Sequence, residues 1–292
     1  FIVGGPKCGT TAMTEFLRTH EDIFISEPKE PNFFADMPKI KFVDNLKDYL
    51  NLFKKATKKK IIGDASIFYM FSKVALENIH EFNPDSKILV MIRNPLEMVP
   101  SFHLQILFTL EEDQEDFESA LALEEKRKKG DRIPKYSRAP ELLNYSEIAK
   151  YGDQIENIYK FFPKEQVKVI LFDDFKKNNR ETYVETLEFL GLNDDGRTEF
   201  PRVNDAKKPK SKIINKIISR PPKFAKVIAK GLRKVLNKPR LGIVSRLSHM
   251  NREKVDRQPL SKEVKARLLE IYKEDILKTE KIINKDLSGW LS

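Results

Sequence analysis

The sequence predicts an alternating α/β fold built on a parallel sheet. Three observations carry that expectation: short apolar runs of strand length recur along the chain, stretches of helical period separate them, and a glycine-containing turn joins the first run to the first helix. "FIVGG" reads as a buried strand. "TTAMTEFLRTH" then starts a helix at the turn, with Met13, Phe16, Leu17 and His20 on one face at spacings of three and four. "KKIIGDAS" and "SKILVMIRNP" are further strand runs, separated by a helical stretch from Ser72 to Phe82. Asn94-Pro95 ends the second of them, and Leu96 to Thr109 follows as a helix. A long helix is expected from Pro140 to Phe162, stopped by Pro163. "QVKVILFDDF" is the next strand, Glu181 to Leu190 a helix closed by Gly191, and a last helix runs from about Ser261 to Lys285. There is no internal repeat and no low-complexity tract.

With 292 residues, 40% hydrophobic residues and 20 Phe, the chain can bury a large core, and a single domain over 1–292 is expected. Cys8 is the only cysteine, which excludes an internal disulfide and a thiolate zinc site. A reducing cytoplasm is the expected compartment. No run approaches the roughly 18 apolar residues of a membrane span, and an anchor or leader ahead of Phe1 stays compatible with the sequence. The net charge of +10 is uneven: Arg202 to Gln258 holds 18 Lys and Arg against 3 Asp and Glu, so this segment carries +15 and the rest −5. It includes "PPKFAKVIAKGLRKVL", where Phe224, Val227, Ile228, Leu232 and Val235 form an apolar stripe beside Lys223, Lys226, Lys230 and Arg233. A basic helical segment at about 202–258 is therefore expected, either as a solvated surface or as a contact for an anionic donor, a polyanionic acceptor or a lipid headgroup.

Two stretches carry the chemistry. In open α/β folds the turn after the first strand is a ready anion site, because helix N-terminal N–H groups point outward with the positive end of the dipole. "GGPKCGTT" occupies that turn. A Walker A loop would be satisfied by Gly4 and Gly9 but would need lysine where Thr10 stands; the lysine is Lys7 instead, and the strand "KILVMI" ends in Arg93 rather than in a magnesium-binding aspartate. The loop is thus suited to an anion handled by side-chain cations without a metal, with Cys8 as a small filler of the turn. In "RNPLEMVPS", Arg93 and Ser101 are eight positions apart and form a second anion site. Two such sites on one face suggest a nucleotide phosphorylated at two separated places, such as a 3′,5′-bisphosphate. A nucleotide kinase of P-loop type and a non-catalytic polyanion-binding protein stay open as alternatives.

"PKCGTT" followed by "RNPLEMVPS" resembles the PAPS-dependent sulfotransferases, where PAPS is 3′-phosphoadenosine 5′-phosphosulfate. "EPKEPNFF", "GDAS", "YSEIAKYGDQI" and "DLSGWL" sit where bacterial members and the glycan-modifying branch carry similar stretches. The resemblance implies a P-loop-like three-layer fold with a central parallel sheet of about five strands flanked by helices. It implies transfer of a sulfuryl group from PAPS to a hydroxyl or amine, with no other cofactor and no metal. Lys7 would be the cation beside the bridging oxygen, with Cys8, Gly9, Thr10 and Thr11 around the 5′-phosphate and Arg93 and Ser101 on the 3′-phosphate. Glu30 stands where the glycan-modifying branch has its base. Tyr151 and the "KPKS" stretch at Lys208 to Ser211, with Lys210 and Ser211, would close over the nucleotide. His103, inside the 3′-phosphate helix, is read as structural. Asp64 stands where many relatives have glutamate and Ala65 where some have lysine, a departure that speaks against a heparan-type acceptor. The expected acceptor is a glycan, lipid or small molecule and not nucleic acid, with peripheral membrane contact through the basic segment as one use of its charge.

Overall fold

The computed structural model describes residues 1–201, 207–209, 211, 251–254 and 260–291. Lys210 and most of the basic segment lie outside the described residues. Five parallel strands form the centre: β1 (Ile2–Gly4), β2 (Ile23–Ile25), β3 (Ile61–Gly63), β4 (Ile88–Ile92) and β5 (Val167–Leu171). β1 pairs with β4 and β4 with β5, while β2 pairs with β3. The two pieces join where the Ile2 N–H donates to the Asp64 carbonyl at 2.8 Å and Ile2 bridges Ala65, giving the order β2-β3-β1-β4-β5. Every residue of β1 and β4 is buried, which is why both read as unbroken apolar runs rather than alternating ones. The expected count of about five parallel strands is met.

The helices between the strands are α1 (Thr10–Arg18), α2 (Leu46–Asn51), α3 (Ala75–Phe82), α4 (Pro95–Phe108), α5 (Phe117–Ala122), α6 (Glu124–Lys128), α7 (Tyr145–Ile148) and α8 (Tyr151–Phe161), with α9 (Phe172–Lys177), α10 (Asn179–Leu190) and α11 (Lys262–Ile283) after β5. Parallel neighbours need crossover connections, and the helices of these crossovers flank the sheet. On one face Phe16 of α1 meets Phe175 of α9, ring centroids 5.8 Å apart. On the other, α8 packs against α3 and α11, and α11 against α4. The face of α1 predicted to be apolar is buried as Met13, Phe16 and Leu17; His20 closes its end, accepting the Asp22 N–H at Nδ1, 3.1 Å away. No helix among the described residues is long and apolar enough to cross a membrane.

Three expected elements differ. The single helix over 140–162 is broken into a 3₁₀ turn, Pro140–Leu143, then α7 and α8, with Asn144 and Lys150 leaving helical geometry at ψ 79° and 74°. The breaks turn two tyrosines inward: the Tyr145 hydroxyl donates to Glu112 at 2.6 Å and the Tyr151 ring is fully buried under the first loop. α8 compensates for its abrupt start by borrowing a cap, since the Asp275 carboxylate of α11 accepts the Gly152 and Asp153 N–H groups at 3.0 and 3.3 Å. The run ending "FDDF" is a strand only to Leu171; Phe172 starts a helix with Asp173 and Asp174 in its first turn, where carboxylates suit the dipole. Within the segment expected to be helical, the described pieces are extended: β6 (Lys207–Pro209) pairs antiparallel with β7 (Arg252–Lys254).

The chain leaves β1 toward β2 on one side and, after β3, crosses to β4 on the other. The C-terminal ends of β1 and β4 therefore flank a topological switch point, the place where open α/β sheets bind ligands.

Candidate active site

Sequence locality alone brings a functional residue to each strand end. Lys7 follows β1, Glu30 comes soon after β2, Asp64 is the first residue past β3, Arg93 the first past β4 and Phe172 the first past β5. Parallel pairing then puts all five on one edge of the sheet.

The first loop is tight because glycine makes it so. Gly4 has φ 143°, and a Cβ there would lie 2.1 Å from the Met91 carbonyl oxygen of β4. Gly9, at φ 87°, is the N-cap of α1, and a Cβ on it would meet Phe172 at 2.9 Å. No side chain caps α1 and its first turn holds no acid, so the outward N–H groups around Thr10 and Thr11 and the positive dipole end are left to an anion. Lys7 is held in the left-handed region at φ 61°, a conformation a non-glycine residue keeps only when its surroundings over-determine it. Tyr151 supplies part of that support: its hydroxyl lies 3.7 Å from the Cys8 sulfur. The side chain is fully buried beneath the loop rather than closed over it, because α8 begins directly under the turn. Cys8 is equally buried, and burial pushes its thiol up to about 12. It fills the turn and is no nucleophile at neutral pH. Iodoacetamide at pH 8 should leave the folded thiol essentially unmodified and alkylate it only after denaturation, as read by intact mass; rapid labelling of the folded chain would contradict this burial.

At the second position, Arg93 is nearly buried and its guanidinium lies 4.6 Å from the Phe172 ring centroid. It donates to the Glu97 carboxylate one turn on, while its Nε is buried with no hydrogen-bond partner among the described residues. Asn94 caps α4 by accepting the Leu96 N–H at 3.0 Å, and Pro95 takes the first helical position. Ser101 is buried two turns into α4. β6 packs against that helix, and Ser211 just beyond is fixed by Asn251, which accepts its N–H at 2.9 Å and donates to its carbonyl at 3.0 Å. The "KPKS" stretch thus adjoins the helix of Ser101, and of its two named residues Ser211 is described.

Glu30 sits in a loop of unusual backbone. Both Glu30 and Asn32 are left-handed, at φ 63° and 51°, on either side of Pro31. The Glu30 N–H donates to the Ala65 carbonyl at 3.1 Å, and its carboxylate, 35% exposed, pairs with the Lys29 ammonium at 2.6 Å. Asp64 is the opposite case. Its carboxylate is buried and accepts from the hydroxyls of Ser66, Tyr69 and Tyr49 at 2.6, 2.8 and 3.0 Å; desolvation raises its pKa against these three donors, which favour the ionised form. A carboxylate enclosed in this way cannot meet an acceptor proton, so the accessible acid is Glu30. His103 is packed against Phe117 and Tyr145 with Nε2 at 2.8 Å from the Gln114 carbonyl, and desolvation lowers its pKa. It is structural, as read from the sequence.

Sequence reasoning missed Phe172 beneath Arg93 and the three hydroxyls around Asp64. The acidic pair Asp173-Asp174 was the available sign that Phe172 opens a helix. Nothing local marks Tyr49 or Tyr69 as partners of Asp64.

Comparison with known proteins finds sulfotransferases. Carbohydrate sulfotransferase 15 of Mus musculus is 25% identical over 247 residues, covering 66% of this chain and 43% of that protein. Human heparan sulfate glucosamine 3-O-sulfotransferase 6 is 33% identical over 106 residues, 36% of this chain and 30% of that protein. The chain thus spans less than half the length of these curated relatives. In fold, the sulfotransferase structure from Alicyclobacillus acidocaldarius matches with a TM-score of 0.71 at 23% identity, over 100% of this chain and 98% of that one. The sulfotransferase domain model matches residues 1–202, the stretch that holds the five central strands, the Lys7 loop and Arg93, and the chain belongs to that family.

Proposed function

We propose that this chain transfers a sulfuryl group from PAPS to a hydroxyl or amine of an acceptor. The observation that carries the proposal is the uncapped N-terminus of α1, with Lys7 in its loop, at the switch point between β1 and β4. The residues present fit the donor: Gly4 and Gly9 let the loop pack directly against the β4 backbone and Phe172, where a Cβ would clash, Thr10 and Thr11 open the helix at its uncapped end, and Arg93 brings a guanidinium over Phe172 whose Nε has no hydrogen-bond partner among the described residues. When bound, PAPS supplies an activated sulfuryl group on a phosphate leaving group. The α1 N–H groups and Lys7 hold the 5′-phosphate oxygens and offset the charge that collects on the bridging oxygen as the S–O bond breaks. Arg93 and Ser101 hold the 3′-phosphate. Glu30 takes the proton from the acceptor oxygen or nitrogen as it attacks sulfur.

The named relatives act on carbohydrate and heparan sulfate, and an anionic glycan is the acceptor class we propose for this chain, with a labelled-PAPS screen across glycans, lipids and small alcohols as its test. Donor recognition can be tested separately. The Glu97 carboxylate is 56% exposed, so its pair with Arg93 is weak and a 3′-phosphate can displace it. A charge-assisted hydrogen bond is worth roughly 1.5 to 3 kcal/mol, so Arg93→Ala should weaken binding of 3′-phosphoadenosine 5′-phosphate by about 10- to 150-fold while leaving ADP nearly unaffected. Equal affinity of the native chain for the two nucleotides by calorimetry would remove the 3′-phosphate assignment.

A further inference from the structure

We infer that Asp64 is a positioning residue that holds the Glu30 loop in its catalytic geometry; the inference rests on Glu30 being the base. The loop over 30–34 contains two left-handed residues in three, Glu30 and Asn32, and needs external support to stay there. That support converges on one carboxylate. The Asn32 N–H donates at 3.1 Å to Ser66 Oγ, which itself donates to Asp64 at 2.6 Å. The Phe34 N–H points to the Tyr69 hydroxyl at 3.5 Å, and that hydroxyl donates to Asp64 at 2.8 Å. The Phe33 ring stacks on Tyr49, centroids 4.7 Å apart and planes 16° apart, and the Tyr49 hydroxyl donates to Asp64 at 3.0 Å. Each of the three residues after Pro31 is therefore one link from Asp64. The Asp64 carbonyl accepts the Ile2 N–H of β1, the strand that leads into the Lys7 loop. Asp64 thus ties the loop of the base to the strand of the cation, though it touches neither donor nor acceptor.

The carboxylate, not merely its shape, is required. Three hydroxyls donate to it, so an amide of equal volume presents two of its own N–H donors to groups that are already donating. Asp64→Asn should disorder the loop and lower kcat by about 10- to 100-fold, the range for misplacing a catalytic group by about an ångström. The dissociation constant of 3′-phosphoadenosine 5′-phosphate should stay within about twofold, because the donor site is on other strands. Since Asp64 acts through Glu30, Asp64→Asn made in a Glu30→Gln background should cost less than about threefold more. Hydrogen exchange should speed up at the Asn32 and Phe34 amides and not in α1 or β4. Additive losses in the double variant, or donor affinity falling in step with kcat, would overturn the inference. If Glu30→Gln itself leaves turnover intact, the base assignment fails; Asp64 is then judged by exchange alone, and unchanged Asn32 and Phe34 amides in Asp64→Asn overturn it. Should Asp64→Asn not fold, Ser66→Ala removes a single arm: faster exchange at Asn32 but not at Phe34 upholds the network, and no change at Asn32 refutes it.

Discussion

Glu30→Gln should keep the fold and the affinity for 3′-phosphoadenosine 5′-phosphate and lose at least about 10²-fold in kcat, within the 10²- to 10⁴-fold that a general base contributes. The reason lies in the geometry of the loop. The Glu30 backbone is fixed by its own N–H on Ala65 and by the stacked Phe33 a few residues on, so an isosteric amide keeps the loop although it gives up the ion pair with Lys29. What it loses is the ability to take a proton. An acceptor hydroxyl is a poor nucleophile, and attack on sulfur is easier if the proton leaves as the bond forms. Steady-state kinetics, with calorimetry on the bisphosphate nucleotide, separate this outcome from a folding defect. Near-normal turnover in Glu30→Gln would withdraw the kinship with the glutamate-using branch at the level of mechanism.

The same loop illustrates what the sequence made legible. Glu30 is a candidate because it lies in a recognisable stretch, "KEPNFF", and Arg93 because it follows a long apolar run; both signals are local. The strands β1 and β4 were legible for the same reason, since a strand buried on both faces must be apolar throughout, and β5 was legible although Lys168 interrupts it, because Val167, Val169, Ile170 and Leu171 keep the run apolar. β2 was not. Three residues, "IFI", between Glu21-Asp22 and Ser26-Glu27-Pro28 are too short to carry a period, and β2 exists because β3 is beside it to pair with. The helix over 140–162 was read as continuous because its breaks at Asn144 and Lys150 have no proline or glycine to announce them. They are imposed by tertiary partners of Tyr145 and Tyr151, among them Glu112 some thirty residues earlier and Cys8 near the start of the chain. The hydroxyls around Asp64 were invisible for a related reason: a tyrosine in a sequence gives no sign of whether its ring or its hydroxyl decides its place. The departure at Asp64, noticed as a doubt about the acceptor, turns out to be structural, a buried carboxylate that three hydroxyls satisfy.

Lys7→Ala is the sharpest test of the donor site. The substitution is clean, because Lys7 occupies the left-handed region at φ 61° and alanine is as ill suited to it as lysine, so the backbone gains no relief from strain. The ammonium goes with its methylene arm, and the backbone stays as it is. On the proposed reading the outward N–H groups of α1, which no substitution at position 7 deletes, also hold the 5′-phosphate in the ground state, so donor affinity should fall by no more than about tenfold. In the transition state negative charge accumulates on the bridging oxygen, and a fixed cation there contributes much as one oxyanion-hole donor does, about 10²- to 10³-fold in kcat. The loss should therefore be in turnover far more than in binding, and Lys7→Arg should restore it only partly, since a planar guanidinium does not reproduce a point charge. Single-turnover transfer from labelled PAPS measures the chemical step, and calorimetry with 3′-phosphoadenosine 5′-phosphate measures the ground state. Both should be indifferent to a chelator. If EDTA abolished transfer and magnesium restored it, or if Lys7→Ala weakened binding and turnover by the same factor, the charge on the bridging oxygen would be carried by something other than Lys7, and the kinase-like reading of the first loop would have to be taken up again.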